Sequence, residues 1–176
     1  MDWFTLASFE GTEERFSAPR DAWLAGLVTR VVDGDTVDLC VQLPCVRHAL
    51  VYRARLLGIN APETHTRNAE EKSAGLASAD FLRNLVEGRK VCAHVQGDDM
   101  YGRLLVHLFL PDQNALQTNA LTYPLYYLLH RYLGVSWLIT SEQMLHVNGA
   151  MIEQGHAVEY DGKGKRAAFV SSQRDN

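Results

Sequence analysis

The stretch LVTRVVDGDTVDLCVQL, residues 27–43, constrains the fold more than any other part of the chain. Two β-branched runs flank Asp33-Gly34-Asp35. Runs of this kind joined by Asp-Gly predict a β-hairpin, because the glycine takes the turn conformation that matches the strand twist. A third apolar run, ALVYRARLLGI, follows a turn around Pro44, giving three strands in close succession, an antiparallel meander. Residues 68–87 change period: Leu76, Phe81, Leu82, Leu85 and Val86 recur at helical spacing, with Glu70 and Glu71 near the positive end of the dipole and Gly88 as the stop. KVCAHVQGDD and YGRLLVHLFLP then read as a second hairpin, and EQMLHVNGAMIEQG as a helix closed by Gly155.

Three strands, a helix, two strands and a helix predict an α+β, mainly β protein, a five-stranded OB-fold barrel capped by helices. The mixed, aperiodic residues 1–24 form an N-terminal arm, residues 25–160 the barrel domain, and residues 161–176 a loosely held tail with little to bury. Such a barrel hosts many functions, so function has to come from its residues.

Composition narrows the choice only a little. With 47% hydrophobic and 22% charged residues the chain has the make-up of a globular domain. Cys40, Cys45 and Cys92 are odd in number and lack metal-ligand spacing, which marks them as core residues of a reducing compartment. The opening MDWFTLASFEGTEER has no basic segment leading into an apolar one, so it is not a secretory signal and a cytoplasmic location is expected. A net charge of −4 argues against a nonspecific nucleic-acid coat. Yet 13 of the 17 basic residues are arginine, which favours a few placed, forked phosphate contacts over diffuse charge.

Three clusters carry candidate chemistry: Asp33-Gly34-Asp35-Thr36, then Arg55 with Asn60 and Glu63, then Asp99-Met100-Tyr101-Gly102-Arg103. Phosphodiester hydrolysis needs charge neutralised on the phosphate, an activated water, and alignment of the two. Asp35, Asn60 and Glu63 offer oxygens to a hard cation or a water, and Arg55 and Arg103 offer forks. Each cluster also has a structural reading: a hairpin turn, a strand entry, or an ion pair in which Glu63 answers the charge of Arg55. The seven histidines are scattered and receive no role.

The motifs VVDGDTV, RLLGINAPET, DMYGRLL and VNGAMIEQG stand in the order found in the staphylococcal nuclease (thermonuclease) family, which the chain resembles from about Val28 to Tyr160. The resemblance implies an OB barrel and a calcium-dependent nuclease that cuts DNA and/or RNA and leaves 3′-phosphates, with other divalent cations as alternatives. It makes Asp35 a calcium ligand, Ala61 a donor of its main-chain carbonyl to calcium, and Arg55 the arginine on the scissile phosphate. Glu63 is then the residue that orients or deprotonates the attacking water, Arg103 the second phosphate-binding arginine, and Tyr101 its neighbour in the nucleotide site. Asn60 stands where the family has a metal-binding aspartate, so the metal set of Asp35, Asn60 and Ala61 carries one negative charge fewer.

The long spacing from Tyr101 to Asn148 departs from the family and places an insertion at about residues 115–142, around TNALTYPLYYLLHRYLGVSWLIT. Its simplest form is a helical hairpin packed on the barrel. A homodimer contact is the second reading; a membrane contact is disfavoured, since Pro124 and His130-Arg131 interrupt the run. The competing functions are a noncatalytic nucleic-acid-binding module on the same fold and an interaction protein that works through the insertion. The set Arg55, Glu63 and Arg103 favours the nuclease, because a binder has no need of a water-positioning glutamate.

Overall fold

The computed structural model describes residues 20–41, 49–111 and 144–162. The chain order is β1 (Ala22–Asp33), β2 (Thr36–Val41), β3 (Leu50–Leu56), β4 (Ile59–Asn60), α1 (Ala69–Val86), β5 (Lys90–Asp98), β6 (Leu104–Pro111), β7 (Met144–His146), α2 (Val147–Glu153) and β8 (Val158–Glu159). The sheet runs β3-β2-β1-β5-β6-β7, and a further pairing of β3 with β6 closes the first five strands into a barrel. All the barrel pairings are antiparallel except β3 with β6. This is the five-stranded OB barrel that the sequence predicts.

Closure depends on β1 serving two neighbours. Its first half pairs with β5, from Ala22↔Val95 to Leu27↔Lys90, and its second half with β2, from Gly26↔Val41 to Asp33↔Thr36. The strand therefore begins at Ala22, three residues before the change of pattern at Ala25, because Ala22–Leu24 are held by the later strand β5. Inward-facing Val28, Val31, Val37, Leu39, Leu56, Val95, Val106 and Leu108 fill the barrel. Cys40 and Cys92 are buried, as expected of small core residues.

Helix α1 starts where Asn68 accepts hydrogen bonds from the N–H groups of Glu70 and Glu71, at 3.0 and 3.4 Å. This cap satisfies donors that a helix start leaves orphaned. Its buried face is Gly75, Ser78, Ala79, Leu82 and Val86. Leu82 and Val86 are fully buried against the barrel, each contributing about 2 kcal/mol. Gly88, at φ 73°, ends the helix and donates its N–H to the Val28 carbonyl at 2.8 Å, while the Glu87 carboxylate accepts from Val31 N–H at 2.8 Å. The end of the helix is thus tied to β1.

Two local readings of the sequence are corrected. The run to Ile59 is not one strand: β3 stops at Leu56, the chain turns at Leu57-Gly58 with Gly58 at φ 79°, and Ile59–Asn60 resumes as β4 against β8. Residues 144–146, read as helix, are strand β7 on Phe109–Pro111, so the helix begins only at Val147. Three residues are too few to show a period, and pairing with β6 decides their state. The predicted insertion at about 115–142, much of the N-terminal arm and most of the tail lie outside the described residues. Among the described residues, no helix is long and apolar enough to cross a membrane.

Candidate active site

The β1–β2 turn is two residues long, Gly34-Asp35 between the paired Asp33 and Thr36. Its tightness puts the Asp35 carboxylate under a fixed roof. The Asp33 carboxylate accepts the Asp35 N–H at 3.1 Å, and the Thr36 hydroxyl donates to Asp35 at 2.9 Å. Gly34 is required by space: a Cβ there would lie 2.6 Å from the Ala61 Cβ and 2.8 Å from the Ser78 Cβ. The turn, the loop after β4 and helix α1 therefore meet at one point.

Arg55 lies on β3 opposite Thr36. Its guanidinium is only 11% exposed, and Nη1 sits 3.0 and 2.9 Å from the two Asp35 oxygens. The sequence offered Glu63 as an anion for Arg55; in the fold Asp35 stands against the guanidinium. Nη2 of Arg55 reaches the Asn60 amide oxygen at 3.4 Å and the Ile59 carbonyl at 3.5 Å. The Ala61 N–H donates to Asp35 at 3.5 Å. Asp35, Arg55, Asn60 and Ala61 are thus brought together. Burial pushes the Asp35 carboxyl up to about 6; Arg55 pulls against this and Asp33 adds to it. A buried carboxylate so disposed gains from any added positive charge.

Glu63 follows two buried residues, Ala61 and Pro62, and is itself half-buried. The sequence missed what holds it. A Cβ on Gly75 of α1 would stand 2.8 Å from the Pro62 carbonyl oxygen and from the Glu63 carbonyl carbon and oxygen. The absent side chain lets α1 press directly on the backbone that carries Glu63. From the other side β8 pairs with β4, Ile59↔Glu159 and Asn60↔Val158, and Ser78 ties the helix to the chain before β8 by donating to the His156 carbonyl at 2.7 Å. Proline then limits the loop further, by fixing its own φ and restricting Ala61.

Arg103 directly precedes Leu104, which pairs with Ala54, so it enters β6 beside the Arg53–Arg55 stretch. Asp99 holds it by a fork, with Nε and Nη2 each 2.7 Å from one carboxylate oxygen. The same carboxylate accepts the N–H groups of Tyr101 and Arg103 at 2.9 and 3.0 Å. Burial alone would raise the Asp99 pKa, but these hydrogen bonds and the Arg103 charge hold it below the usual carboxylate range. Asp99 is the second residue whose part the sequence left unassigned, although an aspartate two residues ahead of a turn N–H is a legible signal. Tyr101 is 72% exposed, with the Arg103 guanidinium 5.5 Å from its ring centre.

Among the described residues, no group of three or more His, Cys, Asp or Glu side chains gathers as a metal site. What does gather is oxygen of mixed kind. The Asp35 carboxylate, the Asn60 amide oxygen and the Ile59 carbonyl converge on the single cation of Arg55. Hard-oxygen donors around positive charge suit calcium or magnesium better than a softer metal.

Residues 53–123 match the family described as "Staphylococcal nuclease homologue". An "Uncharacterized endonuclease" of Escherichia coli O157:H7 is 34% identical over 87 residues, covering 49% of each chain. "Thermonuclease" of Staphylococcus intermedius is 30% identical over 89 residues, again 49% of each chain. "Protein ParB" of Escherichia coli is 28% identical over 151 residues, 86% of this chain and 66% of that one. The chain spans about half the length of the endonuclease and the thermonuclease that it matches.

Proposed function

We propose that this chain, whose residues 53–123 match the staphylococcal nuclease homologues, is a nuclease hydrolysing phosphodiester bonds of DNA or RNA with calcium as its ion. The observation that carries the proposal is the convergence on Arg55 of Asp35 from the β1–β2 turn and of Asn60 and Ile59 from β4. The names of the endonuclease and thermonuclease relatives support the same reaction class.

In this reading each residue has one task. Asp35, the Asn60 amide oxygen and the Ala61 carbonyl would hold the cation, which would supply neutralisation of phosphate charge and alignment of the group under attack. Glu63 takes a proton from the attacking water, and its place is fixed by Pro62 and by the close approach of α1 at Gly75. Arg55 forks onto the phosphate and steadies the charge that builds on its oxygens in the transition state. Arg103 makes the second fork, aimed by Asp99. Family resemblance assigns the product as a 3′-phosphate.

The test is incubation of the purified chain with plasmid DNA and with single-stranded RNA, in calcium, magnesium or chelator, beside Glu63→Gln. Cleavage that needs a divalent cation and falls about 10²–10⁴-fold in the variant is expected. Binding without cleavage under every ion would support the alternative, a noncatalytic nucleic-acid-binding barrel.

A further inference from the structure

Outside the site just described, the outer face of the barrel carries a second set of arginines that the nuclease reading does not use. Along β3 the side chains alternate: Leu50, Tyr52, Ala54 and Leu56 are buried on one face, while Val51, Arg53 and Arg55 lie on the other. Arg53 therefore shares a face with Arg55, two residues away and about 7 Å along the strand. Across the sheet the pairings Arg30↔Asp38 and Asp38↔Arg53 form one row, adjacent to the row Thr36↔Arg55.

Arg30 reaches this face because of an irregularity in β1. The register slips between Val28 and Arg30, so Thr29 is an extra residue and Arg30, rather than Thr29, stands opposite Asp38. A bulge of this kind re-aims a side chain. The Thr29 hydroxyl secures it by donating to the Asp38 carbonyl at 3.1 Å. Asp38 is buried to 9% exposure and holds both guanidiniums: Arg30 by Nε at 2.9 Å and Nη2 at 2.8 Å, Arg53 by Nε at 3.0 Å. The two arginine side chains remain 61% and 47% exposed.

One guanidinium would answer the charge of the buried Asp38. The second, with the bulge that aims it, is poorly explained by stability, since a pair with an exposed arginine is worth about 0–1 kcal/mol. Two exposed guanidiniums stand on one carboxylate with their orientation already fixed, and this suits phosphate oxygens. The step along β3 from Arg55 is also comparable with the distance between successive phosphates of an extended single strand.

We propose that Arg30 and Arg53, aligned by Asp38, form a phosphate-binding subsite for the nucleotide next to the one cleaved at Arg55, and so favour a polynucleotide over a mononucleotide ester. The proposal rests on the nuclease reading for the place of the cleaved bond, but not for the binding itself. Asp38 is a positioning residue, and Arg30 and Arg53 are the contacts.

The experiment uses the full chain with Arg30→Gln, Arg53→Gln and the double variant, each checked by its thermal midpoint. Binding of a short labelled single-stranded oligonucleotide is followed by fluorescence anisotropy in chelator, over a series of salt concentrations. The double variant should weaken binding about tenfold and reduce the slope of log K against log salt by about 0.7, the loss of one phosphate contact on a single strand. The single variants should fall between. In calcium, KM for the oligonucleotide should rise with little change in kcat, whereas a nitrophenyl ester of a nucleoside phosphate, which has no second phosphate, should lose far less. Unchanged affinity and salt slope in a folded double variant would overturn the subsite, as would equal losses on the oligonucleotide and the ester. A parent that cuts nothing in any divalent cation would fail the nuclease reading alone, and the binding titration would still decide the subsite.

Discussion

Nη1 of Arg55 lies 2.9 Å from a carboxylate oxygen of Asp35, and both side chains are almost closed off from solvent. The pair joins β3 to the β1–β2 turn, so it sets where a guanidinium and a carboxylate stand relative to one another before any phosphate arrives. A lysine at 55 would keep the charge and could still meet Asp35, but it would lose the planar fork that spans from Asp35 to Asn60. Arg55→Lys should therefore melt close to the parent while kcat falls about 10²–10³-fold, the usual loss when one preorganised donor to the developing charge is removed. Parallel kcat and melting measurements check this; a lysine form as fast as the parent shows that charge without a fork is enough.

Gly75→Ala is predicted to separate activity from stability. The new methyl would press on the Pro62 and Glu63 backbone at 2.8 Å, and overpacking costs about 1–3 kcal/mol. Alanine returns about 1 kcal/mol of helix propensity, so the melting midpoint should move only modestly. The displaced loop carries Glu63, and a shift of under an ångström can cost about 10²-fold in rate. A drop in kcat much larger than the change in midpoint is expected; normal turnover would show that Glu63 does not need the close approach of α1.

The strands and helix that make the barrel were legible because they are long and patterned. The hairpin at Asp33-Gly34-Asp35, the apolar run of β3 and the helical period from residue 68 all announce themselves locally. The clustering of Asp35 with Arg55 and Asn60 was legible only in outline, since the pairing Thr36↔Arg55 that brings them together is a property of the assembled sheet. Strands β4, β7 and β8 are two or three residues each and have no period to read. The packing glycines Gly34 and Gly75 were hidden for a different reason: what makes them necessary is a neighbour on another element, Ala61 beside Gly34 and Glu63 beside Gly75. A glycine signals its turn but not its contact.

In the sequence Asn148 marks only a spacing within the family's motif order, yet it is 2% exposed and links three backbone groups. Its amide nitrogen donates to the Leu57 carbonyl at 2.8 Å and to the Val106 carbonyl at 3.1 Å, and its oxygen accepts the Leu108 N–H at 2.9 Å. Val106 O keeps a second donor, Leu57 N–H at 2.8 Å, so the loss would fall on Leu57 O and Leu108 N–H. Leaving two buried groups without this partner should cost about 2–4 kcal/mol in Asn148→Ala, read from urea unfolding. A change below about 0.5 kcal/mol, the size typical of a surface substitution, would mean that these groups find other partners.

His107 and His146 lie against each other, Nδ1 to Nε2 at 3.2 Å. Burial lowers the pKa of both; the charges of His146 and His94 lower His107 further, while Glu153 acts in the opposite direction on His146. Each imidazole therefore binds a proton less readily in the folded chain than in the unfolded one. The unfolded state takes up more protons as pH falls through about 6.5, so stability should decline there and level off only below the lowered folded values. Replacing both by glutamine should flatten the dependence of the urea midpoint on pH across that window. An equally steep dependence in the double variant would assign it to other groups.

The last prediction concerns Asn60, whose amide oxygen is 3.4 Å from Nη2 of Arg55. On the proposed reading this oxygen serves a hard cation as a neutral dipole, which attracts the ion less than a carboxylate would. Asp35 is then the one formal negative charge among Asp35, Asn60 and Ala61, and Arg55 already opposes it at 2.9 Å. Calcium should bind weakly to the free protein and more tightly once phosphate brings further oxygens and charge. Asn60→Asp adds a carboxylate at a backbone position fixed by its pairing with Val158, so the site need not rearrange to use it. Calcium affinity without substrate should tighten by about tenfold, equivalent to about 1.4 kcal/mol, as read by calorimetric titration. The same substitution also gives Arg55 a second anion to satisfy, which holds the guanidinium back from the phosphate, so kcat should gain less than affinity does. A parent that already binds calcium tightly, or an aspartate form that binds no better, would remove Asn60 from the metal set and leave it as the residue that anchors Arg55 to β4.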